Sequence, residues 1–103
     1  MARPTASRVE FAPSVRAQLQ ALRARDRAVV LDAIERQLRI QPLVETRHRK
    51  PLRPNPIAPW QLSVEELRIF YEVGAEANGP VRILAVGRKV GSILTIGGEE
   101  VQL

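Results

Sequence analysis

Five prolines fall between residues 42 and 59 (Pro42, Pro51, Pro54, Pro56 and Pro59), and they divide the chain into two halves with different hydrophobic periods. Proline has no backbone N–H and pushes the residue before it out of helical geometry, so neither a helix nor a central strand runs through such a stretch. Secondary structure must therefore be built separately on each side, with 41–59 as an ordered or semi-ordered loop. Before the prolines the apolar residues recur at helical spacing. Val15, Leu19 and Leu22 make one stripe, with Pro13 suited to the first turn, and Val30, Ile34 and Leu38 make another. Asp26 is expected to cap the second helix, and a break near Arg25 to fold the two into a hairpin. Asp32–Arg36 and Glu35–Arg39 place acid before base at i, i+4 on the wet side of that helix. Ahead of both, the alternation in residues 8–11 reads as a first strand.

After Pro59 the period becomes two. Trp60, Leu62 and Val64 alternate with Gln61, Ser63 and Glu65, and Leu67, Ile69, Tyr71 and Val73 alternate with Arg68, Phe70 and Glu72. Glu65-Glu66 is the expected turn, without the glycine or asparagine that two-residue hairpins favour. Asn78-Gly79-Pro80 marks the next turn. Val81–Val86 reads as a mostly apolar central strand, Ser92–Ile96 as a further short one, and Gly97-Gly98 as a turn back. The fold class is α+β: an N-terminal strand, a two-helix hairpin, then a 3–4 stranded antiparallel sheet packed on the helices by one face. Strict alternation puts Arg82, Leu84, Val86 and Arg88 on one face of the long strand, and Arg68, Phe70 and Glu72 on one face of its predecessor. If those faces coincide, cations line the side that the helices leave bare.

The chain has 103 residues, enough for one domain, 1–103, with one core. It has no cysteine and a single histidine, so disulfides and thiolate metal sites are excluded and no metal or cofactor is expected. No apolar run approaches the roughly 18 residues of a membrane span, and the N-terminus lacks a signal peptide's apolar stretch, which makes the cytoplasm the expected location. The net charge is +5, from 16 cations against 11 anions, and only Lys50 and Lys89 of those cations are not arginine. Guanidinium forks match phosphates and carboxylates, so the balance points to an anionic partner, unless the arginines are merely solvated. Placement decides between the two. RHRKPLR, residues 47–53, gathers Arg47, Arg49, Lys50 and Arg53, and VRILAVGRK, residues 81–89, delivers Arg88 and Lys89 at a strand end after Gly87.

Two stretches, RKPLRPNPIAPWQLSVEELRIFYEV (49–73) and VRILAVGRKVG (81–91), resemble the RelE/ParE family of toxins from bacterial type II toxin–antitoxin pairs. They are similar to its pattern of a basic loop, a strand pair with an Arg-apolar-aromatic-Tyr core, and a strand ending in Val-Gly-cation-cation. The resemblance implies a small sheet wrapped on one side by a helical hairpin, a basic working face on the other, and an acidic antitoxin that occludes it. RelE-like members cut mRNA on the ribosome; ParE-like members inhibit DNA gyrase. Carried onto this sequence, it implies catalytic roles for Arg68, Arg88 and Lys89 as holders of the scissile phosphate and its developing charge. Arg47, Arg49, Lys50 and Arg53 would contact the nucleic-acid backbone. Cleavage by 2′-OH attack also needs groups that take and return a proton. Here the chain departs from the RelE-like pattern: Gln61 and Ser63 stand where strand lysines are expected, and Ile93-Leu94-Thr95 occupies the region of a C-terminal tyrosine. The open alternatives are substitution by Lys50, His48 or Arg49 in a metal-independent endoribonuclease, a gyrase-directed inhibitor that is not a nuclease, or a member that only binds its antitoxin.

Overall fold

The computed structural model describes residues 6–76 and 79–103; Asn78 of the expected Asn-Gly-Pro turn lies outside them. Element order is β1 (Val9–Phe11), α1 (Val15–Gln20), α2 (Ala24–Gln37), β2 (Arg49–Pro51), β3 (Trp60–Val64), β4 (Leu67–Val73), β5 (Val81–Val90), β6 (Ile93–Ile96) and β7 (Glu99–Val101). One sheet runs in the order β2-β3-β4-β5-β6-β7, and β1 pairs in parallel with the first half of β5. The fold is α+β as expected, with a strand, two helices and an antiparallel sheet laid on them, but that sheet has six strands rather than three or four, because β2 forms inside the proline stretch and β7 after the Gly97-Gly98 turn.

The helices form where the apolar stripes demanded. Val15 is fully buried from α1, and Val30, Ala33 and Ile34 are buried from α2, with Leu38 just beyond its end. They meet Leu62, Leu67, Ile69, Tyr71, Val81, Ile83 and Val86 of the sheet. Burying each such aliphatic side chain contributes roughly 1.5–3 kcal/mol, so this one layer holds helices and sheet together. The break between the helices lies at 21–23 rather than near Arg25, because Arg27 reaches back from α2. Its guanidinium donates to the carbonyls of Leu19 and Leu22 (3.0 and 3.1 Å) and satisfies the end of α1. Asp26 does not cap α2. The N-cap position is Arg23, and Asp26 sits in the first turn, where a carboxylate still suits the helix's positive end. The outer pairs Asp32–Arg36 and Glu35–Arg39 form at 3.0 and 3.2 Å.

Two features of the sheet depart from simple alternation. A bulge in β5 inserts Leu84 between the register pairs Tyr71↔Ile83 and Phe70↔Ala85. Beyond it, parity is inverted: Val86 and Arg88 turn to the helix side, and Ala85, Gly87 and Lys89 to the other. Arg82 and Arg88, expected on one face, therefore lie on opposite faces. The second departure is cover. The side away from the helices is not wholly bare, because Leu52, Ile57 and Ala58 of the proline loop pack with Leu84 and Val101 on Phe70, Ala85 and Leu94, and Phe70 is 0% exposed. Asn55 organises this loop from within. Its amide donates to the carbonyls of Arg53 and Ala58 (2.7 and 2.8 Å) and its oxygen accepts from Ile57 and Ala58 (2.8 and 3.0 Å).

Candidate nucleic-acid interface

What the proline loop leaves uncovered on the helix-free side is polar and cationic. Register places Lys50 beside Gln61, Gln61 beside Phe70, Ser63 beside Arg68, and Arg68 beside Gly87. Lys89 is the next residue of β5 on that face, diagonal to Arg68, a relation that brings Cβ atoms to roughly 7–8 Å. Lys50, Arg68 and Lys89 thus share one face, with Gln61 and Ser63 between them. Gln61 is buried and its amide donates to the Ser63 hydroxyl (3.1 Å). Gln61 and Lys89 also line a pocket of about 370 Å³ with Ser92, Leu94, Val101, Gln102 and Leu103.

Gly87 leaves room for β6 to lie close against β5. A Cβ there would collide with the Thr95 carbonyl oxygen and stand 2.8 Å from Ile96 Cγ1. The glycine is required for the close approach of β5 and β6. Arg68 is half-buried and does not pair with Glu72 on its own face. Its guanidinium donates to the carbonyls of Glu65 and Leu67 (3.0 and 2.8 Å), and burial holds its pKa below the ordinary arginine value. Three of its five donors remain for a ligand.

The other expected contacts divide sharply. Lys50 and Lys89 are exposed and pair with no carboxylate among the described residues; Arg47 and Arg53 are likewise exposed and unpaired there. Arg49 is buried on the helix side, where Nη1 donates to the Gln37 carbonyl at 2.5 Å and Nε to Val44 at 3.1 Å, tying the end of α2 to β2. It shares no surface with Lys50. Arg88, on the helix side, donates to Glu66 (2.9 Å), and that bond raises its pKa. His48 lines a separate groove with Arg25, Asp32 and Arg36 of α2. Trp60 and Tyr71 pack on each other with ring centroids 6.1 Å apart, and the Tyr71 hydroxyl donates to the Pro42 carbonyl (2.6 Å). Burial pushes the Tyr71 phenol up to about 12. The inward-facing cations had no signal in the sequence, because Arg49 and Lys50 differ only by strand parity, and the parity of Arg88 is set by the bulge.

No protein-family model matches the chain, and no curated protein matches it. A solved structure does: the RelBE2 toxin–antitoxin complex from Mycobacterium tuberculosis superposes with a TM-score of 0.71 at 26% identity, over 84% of this chain and 95% of the other. Among the described residues no helix is long and apolar enough to cross a membrane. Strand order and helical hairpin, together with this neighbour, show that the chain has the fold of a RelE-type toxin and is similar to the toxin–antitoxin complex RelBE2.

Proposed function

We propose that the chain inhibits translation by cutting mRNA on the ribosome and is silenced by an acidic antitoxin that covers the same face. The observation that carries this reading is that Lys50, Arg68 and Lys89 share the helix-free face while none of the three is spent on a carboxylate among the described residues. In 2′-OH attack, the Arg68 fork would hold the scissile phosphate, and Lys89 would stabilise the charge that grows on it. Lys50, across Gln61 on the neighbouring strand, is the candidate to exchange protons, in place of the strand lysines that Gln61 and Ser63 replace. Arg47 and Arg53 would extend the contact along the RNA backbone. An acidic partner is supported by the same charge and by the solved neighbour, which is a toxin–antitoxin complex.

The test is inducible expression with and without an antitoxin partner, with transcript ends mapped after induction. New mRNA ends, lost in Arg68→Ala and Lys89→Ala, are the expected result; arrested growth with intact transcripts refutes it. A second reading, inhibition of DNA gyrase without cleavage, is favoured by one observation: Gln61 and Ser63 satisfy each other and supply no titrating group at the centre of the face. Inhibited supercoiling by purified protein would select it.

A further inference from the structure

Arg25, Arg68 and Arg88 converge on one turn. Glu65 has φ 55°, a left-handed conformation that costs an L-residue roughly 1–2 kcal/mol, and neither Glu65 nor Glu66 is a residue that such turns select. The turn is held from outside instead. Arg25 donates to both Glu65 carboxylate oxygens (3.1 and 3.3 Å), and Arg68 donates to the Glu65 carbonyl (3.0 Å). Glu66 then makes two contacts to consecutive residues of β5. Its carboxylate accepts from Arg88 (2.9 Å), and its main-chain carbonyl accepts from the Lys89 N–H (2.7 Å). Behind Arg88 stands Asp26, its side chain 6% exposed, with Arg23, Arg25 and Arg88 at 3.5, 3.3 and 3.9 Å. In ion pairs alone, Arg23, Arg25 and Arg88 with Asp26, Glu65 and Glu66 thus bridge the start of α2, the β3–β4 turn and the end of β5, and Arg68 adds its bond to the Glu65 carbonyl.

We infer that Arg88 is a positioning residue: with Glu66 and Asp26 it fixes the backbone from which Lys89 projects, and it does not itself touch the polyanion. Two geometric facts require this division. Arg88 lies opposite Leu67 on the helix side, whereas Lys89 lies on the open face, so one strand cannot present both to one ligand. Arg88 is also already engaged, and a phosphate would have to displace Glu66 to reach it. The pair of cations at the strand end therefore splits into an anchor and a ligand. The inference rests on the polyanion reading of the face for the role of Lys89, but the anchoring is a property of the fold alone.

The experiment uses the full chain with two readouts. The first is amide hydrogen exchange at Lys89. Glu66→Gln and Arg88→Gln are each expected to speed it about tenfold, as a local opening does, while Ile83 at the core is unchanged. An unchanged Lys89 rate overturns the inference whether or not RNA binds. The second is affinity for a single-stranded oligoribonucleotide across a salt series. Lys89→Gln is expected to weaken binding and flatten the log–log salt slope by about one phosphate contact, whereas Arg88→Gln weakens it about three- to tenfold with the slope kept. Glu66→Gln separates the readings by sign. If Arg88 only positions, this variant binds more weakly; if Arg88 were a phosphate ligand, freeing it would tighten binding and steepen the slope, and the inference would fall. Wild-type protein that ignores RNA at every salt concentration would remove the polyanion reading and leave the exchange result to decide the anchoring.

Discussion

Replacing Arg49 by methionine tests how the face was divided into structural and available cations. The substitution keeps an unbranched side chain of similar reach and removes its donors. In the folded chain Arg49 is 9% exposed and gives hydrogen bonds to the carbonyls of Gln37 and Val44. Each bond from a charged donor contributes about 1.5–3 kcal/mol net, so the pair contributes about 3–6 kcal/mol. These values are already net of taking the guanidinium out of water, and the apolar contacts of the buried methionine recover part of the loss. A net loss of about 2–4 kcal/mol is expected, since the two carbonyls are left without a partner. For a domain of this size that lowers Tm by roughly 10–25 °C, read by calorimetry or by urea titration with unchanged m-value. Lys50→Met, one residue along and exposed, should stay within about 0.5 kcal/mol of wild type. RNA binding should respond in the opposite order: Lys50→Met flattens the salt slope, and Arg49→Met leaves it unchanged under conditions where the protein is folded. An Arg49→Met protein as stable as wild type, with a flattened slope, would refute the division.

Tyr71 gives a pH test. Burial raises its pKa from 10.0 to about 12, so the folded state holds the phenolic proton more tightly than the unfolded state. That stabilisation is complete below pH 10 and declines through pH 12, by about 1.4 kcal/mol per pH unit. Tyr71→Phe removes this limb from the stability–pH curve and leaves the Pro42 carbonyl unpaired, at about 1–3 kcal/mol at neutral pH; because the chain has one tyrosine, phenolate absorbance titrates it alone, and a midpoint near 10 in the folded protein would contradict its burial. Gly87→Ala forces a Cβ onto the Thr95 carbonyl and should destabilise by about 1–3 kcal/mol or more, with β5–β6 amides losing exchange protection first; near-wild-type protection would show that the strands part freely. Asn55→Ala removes four hydrogen bonds and should release the cover over Phe70, seen as proteolysis confined to 52–59 at a cost of about 2 kcal/mol, and resistance to cleavage would count against it. Glu65→Asn relieves the left-handed strain but gives up one of the two arginine contacts that hold the turn, so Tm should change little, whereas a large drop would mean that the exposed Arg25 pair outweighs the strain.

Local rules determined much of this protein from its order of residues. Period 3.6 before the prolines and period two after them gave the helical hairpin, the β3–β4 hairpin at Glu65-Glu66 and the apolar layer between them, because amphipathic elements of this length have one way to hide one face. The basic loop and the strand arginine were also legible, and with them the likeness to RelE-type toxins that the solved neighbour shares. Tertiary structure decided which cations remain available. A single inserted residue at Leu84 reversed the facing of everything after it, sending Arg88 toward α2 and leaving Lys89 outside. Three residues of β2 settled that Arg49 serves the fold while Lys50 faces water. Strand parity is a global property, fixed by which register buries the most apolar surface and leaves the fewest unpaired groups, and composition does not encode it one residue at a time.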